Sequence, residues 1–236
     1  MAANPTRRPI MMLEIAQVLN ADQLRQCRQA LEQAEWVDGR TTAGHVAAKA
    51  KNNLQLPLDH PVARQLGEFI LGTLGQNASF ISAVLPLRIL PPRFNRYESG
   101  GNYGFHIDNS IFGVAGSHER IRTDVSATLF FSDPDEYDGG ELIVQDTYGQ
   151  HSVKLPAGHM VIYPGTSLHR VTPVTRGTRY ASFFWVQSLI REDSRRALLW
   201  EMDKAIQNVS ASMPDHEAIP QLTGVYHNLI REWSNT

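Results

Sequence analysis

One cysteine in 236 residues, Cys27, leaves no partner for an internal disulfide, and this scarcity fits a reducing compartment. Cys27 falls within a helical pattern and reads as a small helix-face residue rather than a nucleophile. No stretch approaches the ~18 consecutive apolar residues that a membrane span needs. Thr6-Arg7-Arg8 ahead of Ile10-Met11-Met12-Leu13 has the look of an export signal, but Glu14, Gln17 and Asn20 interrupt the apolar run too early. Neither sign of charge is in excess: 22 Lys+Arg stand against 24 Asp+Glu, a formal net charge of -2 with no block of like charge. That balance argues against a nucleic-acid or membrane partner and leaves a homo-oligomer open. Internal repeats and low-complexity segments are also missing. The expectation is a cytoplasmic globular chain with one sizeable core, in which residues 1–9 are a loose tail.

What is present divides the chain into three. Asn20 with Gln23 three residues later has the form of a capping box, and Leu24, Cys27 and Leu31 recur on one face up to about Trp36. A polar stretch, residues 38–56, follows. Asp59-His60-Pro61 then puts proline at a helix start, with Leu66, Phe69, Ile70 and Leu74 as the apolar stripe of a helix over 61–76. From residue 80 the period shortens to two, in runs at 84–90, 94–98, 103–107, 123–131, 141–146, 151–155, 159–163, 169–174 and 179–188. Tyr148-Gly149, Pro156-Ala157-Gly158 and Pro164-Gly165 supply turns between them. After Ser188 the helical period returns, with Leu198, Leu199, Met202 and Ile206 on one face, then Leu222, Tyr226, Leu229, Ile230 and Trp233 on another. The expected architecture is mainly β with flanking helices, a jelly-roll sandwich or barrel preceded by helices and closed by two more. The expected divisions are residues 1–80 as helical support, 81–188 as the β domain and 189–236 as a C-terminal helical region.

The candidate chemistry begins at His106-Ile107-Asp108, where strand alternation sends residues 106 and 108 to one face. With nine histidines and 24 acidic residues such a pair is expected about once by chance, so alone it decides nothing. His169 begins another strand 61 residues beyond Asp108, and Arg179 follows ten residues later at the start of the next. Two imidazoles and one carboxylate on a single face of an octahedral ion suit Fe(II) and leave three positions open, which points to catalysis rather than a structural metal. The other histidines, His45, His60, His118, His151, His159, His216 and His227, have no partner at metal spacing.

The segment from about 85 to 188 resembles the 2-oxoglutarate dioxygenase superfamily, in its prolyl-4-hydroxylase-like branch. Carrying the likeness are Arg96-Tyr97-Glu98-Ser99-Gly100, Tyr103-Gly104-Phe105-His106-Ile107-Asp108-Asn109, Gly139-Gly140-Glu141-Leu142, Gly158 to Pro164, His169-Arg170-Val171, Arg179-Tyr180-Ala181 and Trp185. Over its whole length the chain is similar to the small bacterial PKHD-type hydroxylases of the iron-uptake factor family. The resemblance implies a double-stranded β-helix with Fe(II) held by His106, Asp108 and His169, and 2-oxoglutarate held at its distal carboxylate by Arg179, with Tyr97 touching the same group. It also implies O2 as the oxidant, L-ascorbate as a supporting reductant, and oxidative decarboxylation to succinate and CO2 coupled to hydroxylation of a small-molecule or peptide substrate. A guanidinium suits that carboxylate, since it offers two parallel charge-assisted hydrogen bonds and does not lose its charge. The chain departs from the Arg-x-Ser pattern of some relatives by having Ala181, so hydroxyl help there falls to Ser182 or Tyr97. Residues 110–122, with Gly113 and Gly116, read either as a lid over the site or as a plain surface loop. Two other classes are weighed: a cupin-type metalloenzyme, which usually needs the His-x-His that this chain lacks, and a non-catalytic jelly-roll binding or sensing protein, against which a complete His/Asp/His/Arg set argues.

Overall fold

The computed structural model describes residues 12–42, 50–114, 117–146 and 149–235. The expected tail at 1–9, His45, Gly116 and Tyr148 lie outside them. Two sheets face each other. The larger has eight strands, and its main path comprises β1 (Leu13–Ile15), β14 (Met160–Pro164), β10 (Val125–Phe130), β17 (Arg179–Ser188), β6 (Arg93–Tyr97), β4 (Leu54–Gln55) and β2 (Val37–Asp38), in that order. The eighth, β5 (Pro86–Ile89), pairs with the far end of β17. The smaller runs β13 (Gly149–Val153), β12 (Leu142–Asp146), β15 (Leu168–Val171), β7 (Asn102–His106) and β3 (Lys51–Asn52). Two hairpin-like pairs complete the β structure: β11 (Tyr137–Gly139) with β16 (Val174–Gly177), and β8 (Ile111–Gly113) with β9 (Arg120–Arg122). This is the expected jelly roll with flanking helices.

Alternation sorts the side chains. Along β14, Met160 and Ile162 join the core beneath the helices, while Val161 and Tyr163 point between the sheets. The helix-side core receives Cys27 and Leu31 of α1 (Ala21–Gln33), and Ala63, Leu66, Ile70 and Leu74 of α2 (Pro61–Leu74). Both helices begin as their sequences dictate. Asn20 and Gln23 close a reciprocal capping box, and His60 accepts a hydrogen bond from the Val62 N–H ahead of Pro61. The C-terminal helices α4 (Asp193–Ser212) and α5 (Ala218–Trp233) meet around Leu199, Met202, Ile206, Tyr226 and Trp233. Leu198, expected on that face, is instead 51% exposed, because its neighbour Leu199 takes the buried position. Among the described residues no helix is long and apolar enough to cross a membrane.

Several boundaries differ from expectation. The run at 84–90 is preceded by a short helix, α3 (Ala78–Val84), capped by Asn77 and ended by Leu85 in the left-handed region, and the strand starts only at Pro86. The apolar residues at 80–85 suit a buried helix turn and a strand equally well. The polar stretch at 38–56 contributes the three two-residue strands β2, β3 and β4, which are too short to show a period. The run at 169–174 divides in two, because β16 leaves the smaller sheet to pair with β11. Within 110–122, Ile111–Gly113 and Arg120–Arg122 pair as β8 and β9.

The β11–β16 pair sits immediately before Arg179, and Gly139 lets it close. Gly139 has φ +73°, and a Cβ there would lie 1.9 Å from the Pro173 carbonyl oxygen. We expect Gly139→Ala to lower stability by about 1–2 kcal/mol from the left-handed backbone alone, with the steric clash added. A thermal denaturation midpoint equal to wild type would contradict this role.

Candidate active site

The smaller sheet brings two imidazoles into one space. His106 ends β7, His169 lies in β15, and the ladder sets them directly opposite, ring centroids 4.2 Å apart. The His106 Nδ1 is 2.8 Å from the Gly104 carbonyl oxygen and the His169 Nδ1 is 3.0 Å from that of Ser167. A carbonyl only accepts, so each Nδ1 carries the hydrogen and each Nε2 keeps its lone pair for a ligand. Tyr103 stacks on His106 at 3.6 Å between centroids, and Tyr163 meets His169 edge-on at 5.2 Å, so neither ring is free to turn. Burial, followed by the neighbouring His169, pushes the His106 imidazole down to about 4, which keeps it neutral.

Asp108 completes the cluster from just beyond the strand. Its Oδ1 lies 3.9 Å from the His106 Nε2 and its Oδ2 lies 3.8 Å from the His169 Nε2. One donor atom from each residue falls within 4.8 Å of the others. Two ligands with bonds of about 2.1 Å to a shared ion stand at most ~4.2 Å apart, so a small inward rotation of the side chains brings the whole set within reach of one metal. Two neutral nitrogens and a carboxylate oxygen form the donor set that suits Fe(II) with open positions. Ser126 of β10 donates to the Asp108 Oδ2 at 2.7 Å and fixes the carboxylate.

The larger sheet supplies the cation. Arg179 opens β17 opposite Tyr97 of β6, and its side chain is 1% exposed. Its guanidinium carbon sits 5.4 Å from the Tyr97 ring centroid and 5.0 Å from that of Phe130. Among the described residues no carboxylate pairs with it, and Nε and one terminal nitrogen have no hydrogen-bond partner. A buried guanidinium without an anion is costly, so this side of the pocket is complete only with an anionic ligand. Burial raises the Tyr97 phenol to about 12, with Arg179 pulling the other way, and so keeps a proton available for donation. The Tyr137 phenol, buried nearby, is shifted upward by the same burial while Arg179 pulls it the other way. Ser182 does not help: it registers with Phe94 and Leu129, both in the helix-side core, on the face of β17 opposite to Arg179.

A single cavity is lined by all five residues singled out in the sequence, Tyr97, His106, Asp108, His169 and Arg179. It is also lined by residues the sequence reading did not single out: Ser126, Tyr163, Lys51, Arg93 and Phe112. Strand alternation would have put Ser126 and Tyr163 on the inner face, but it does not distinguish them from other inward residues. Lys51 lies in the stretch that reads as a polar connection, and Phe112 in the segment read as lid or loop.

Comparison with known proteins agrees with this geometry. Residues 92–187 match the 2OG-Fe(II) oxygenase superfamily, and residues 193–235 match the PKHD-type hydroxylase C-terminal domain. A PKHD-type hydroxylase of Parvibaculum lavamentivorans is 67% identical, covering 96% of this chain and all of that one. The PKHD-type hydroxylase PiuC of Pseudomonas aeruginosa is 60% identical, covering 95% of this chain and 99% of its own. Among solved structures, a Pseudomonas putida prolyl-4-hydroxylase superposes with a TM-score of 0.50 at 22% identity, over 76% of this chain and 93% of that one. The non-heme alpha ketoglutarate dependent carbocyclase SnoK from nogalamycin biosynthesis superposes with 0.53 at 16% identity, over 77% and 81%. These two likenesses establish the fold alone. The fold, together with the matched segments, defines an oxygenase of the Fe(II)- and 2-oxoglutarate-using kind. Within that class the chain belongs to the PKHD-type hydroxylases, and it is a 2-oxoglutarate-dependent hydroxylase.

Ser126 offers a test of how the carboxylate is held. Removing a partner that orients a metal ligand typically costs 10–100-fold in metal affinity, and Ser126→Ala is expected to weaken divalent-metal binding by roughly that factor. Unchanged affinity in a metal titration would show that the Ser126 hydrogen bond does not orient Asp108.

Proposed function

We propose that His106, Asp108 and His169 hold the Fe(II) through the two Nε2 atoms and the carboxylate, and that Arg179 receives the distal carboxylate of 2-oxoglutarate with Tyr97 beside it. The observation that carries the reading is the buried guanidinium of Arg179, which has unpaired donors and no carboxylate partner among the described residues and lines the same cavity as the three donor residues. When bound, the iron supplies the oxygen activation that couples decarboxylation of 2-oxoglutarate to hydroxylation of the substrate.

The protein's part is placement. Arg179 offers a planar carboxylate two parallel N–H donors, and Tyr97 keeps its proton and donates alongside. Tyr103 and Tyr163 hold the imidazoles against rotation, and Ser126 fixes Asp108. Phe112 and Trp185, ring centroids 4.6 Å apart, wall the cavity with aromatic surface and exclude water. Phe112 is carried by β8, so we read the β8–β9 pair as the lid of this site. Residues 81–188 form the main catalytic unit in this reading, with the C-terminal helices as support, while the region before residue 81 packs α1 and α2 on it and adds the short strands β1 to β4 to its sheets. The enzyme acts in the cytoplasm on a small molecule or peptide, with L-ascorbate returning oxidised iron to Fe(II).

Two measurements test the assignment. Purified protein is expected to bind one Fe(II) per chain, and His106→Ala, Asp108→Ala and His169→Ala each to abolish most of that binding; metal content unchanged in all three would remove the triad. Arg179→Ala is expected to leave metal binding intact and to weaken 2-oxoglutarate binding by roughly 30-fold to several thousand-fold, the ~2–5 kcal/mol of a truncated buried charge pair. Arg179→Lys keeps the charge without the two-pronged geometry and falls between. Wild-type 2-oxoglutarate affinity in Arg179→Ala would sink the co-substrate assignment.

A further inference from the structure

Lys51 and Arg93 are not used by any of the roles above, yet both line the catalytic cavity. They come from opposite walls. Lys51 lies in β3 at the edge of the smaller sheet, opposite Tyr103, the tyrosine that stacks on His106. Arg93 lies in β6 of the larger sheet, opposite Phe183 and on the same face as Tyr97, four residues further from the Arg179 end. Lys51 is 7% exposed, a rare burial for a lysine, and among the described residues no carboxylate forms an ion pair with it. Its Nζ sits 5.5 Å from the Tyr103 centroid, while the Arg93 guanidinium lies over Phe112 at 5.2 Å and over Trp185 at 5.1 Å.

Aromatic faces only partly offset the desolvation of a cation, and they take up none of its N–H donors. The two carboxylates that bear on these groups are engaged elsewhere. Asp108, which acts on Arg93, belongs to the metal cluster and accepts from Ser126. Asp38, which acts on Lys51, is ion-paired with Arg40. The two cations also sense each other: burial first, and Arg93 second, bring the Lys51 ammonium down to about 8.

Charge balance gives the missing partner its sign. The charged side chains lining the cavity are three cations, Lys51, Arg93 and Arg179, and one carboxylate, Asp108. A divalent metal and the 2-oxoglutarate dianion cancel each other, so the loaded site retains two positive charges, and with Arg179 engaged by the co-substrate the cations left over are Lys51 and Arg93. We propose that Lys51 and Arg93 form a substrate subsite that receives a carboxylate, so that the hydroxylated substrate is an acid that presents this group between the two sheets while its reacting carbon lies toward the metal. The inference rests on the reading of Arg179 as the 2-oxoglutarate clamp, since that clamp is what leaves the other two cations over. The planar carboxylate matches the two-pronged edge of a guanidinium that rests against Phe112 and Trp185.

The test uses full-length protein saturated with Zn(II) and 2-oxoglutarate, and follows 4-fluorobenzoate and its neutral isostere 4-fluorobenzamide by fluorine NMR. Wild type is expected to prefer the acid by roughly tenfold or more, the worth of one charge-assisted hydrogen bond. Arg93→Met and Lys51→Met are each expected to erode that preference, and the double variant to lose it, while 2-oxoglutarate affinity, measured on the same samples, stays within about twofold and reports an intact fold. Arg93→Lys is expected to retain part of the preference. Equal binding of acid and amide by wild type, or a preference that survives in the double variant, overturns the subsite. Loss of 4-fluorobenzoate binding as 2-oxoglutarate saturates places the acid at Arg179 and also overturns it. Failure of the clamp reading looks different, because 2-oxoglutarate itself then fails to compete at Arg179 or to bind at all.

Discussion

A buried guanidinium with no carboxylate partner among the described residues is the feature on which the rest of this site turns. Arg179 is almost wholly enclosed, packed against the rings of Tyr97 and Phe130, and among the described residues its Nε and one terminal nitrogen have no hydrogen-bond partner. A fold tolerates such a group only if the rest of the structure over-determines it and a ligand completes it. The over-determination is visible: β17 is hydrogen-bonded to β10 and β6 on its two sides, and it is preceded by the glycine-dependent β11–β16 pair. The strand cannot shift to let its first residue reach water.

The two sheets divide the work. The smaller carries the nitrogen donors, held by carbonyls two residues upstream and by tyrosine rings, while the larger carries Arg179, Tyr97 and, through Ser126, the restraint on Asp108. In such a sandwich, opposite walls bring complementary chemistry to one cavity. Lys51 and Arg93 line the same cavity, again one from each sheet.

Much of this was legible in the sequence, for reasons that differ by residue. The capping box at Asn20 and the proline at 61 announce their helices because caps act locally. His106 and His169 stand out only as a set with Asp108 and Arg179, since each alone has an ordinary structural explanation. Ser126 was not legible, because a serine on the inner face of a strand differs from any other until its partner across the cavity is known. Lys51 escaped for another reason: β3 has two residues, too few to show a period, and it is placed by pairing with β7, where Lys51 sits opposite Tyr103. Ala181 and Ser182 show the value of period two, since the hydroxyl expected to assist Arg179 faces the other side of the sheet.

The central claim is that the metal cluster and the Arg179 clamp grip the same molecule from opposite walls. Its most direct measure is linkage, because a ligand held by both sites must tighten when the second site is filled. We expect the 2-oxoglutarate affinity, measured anaerobically by calorimetry with and without Fe(II), to rise by at least about tenfold when the metal is present, and Fe(II) affinity to rise by the same factor with 2-oxoglutarate. Equal 2-oxoglutarate affinities in the presence and absence of metal would contradict the account, since they would mean that the two walls do not share a ligand.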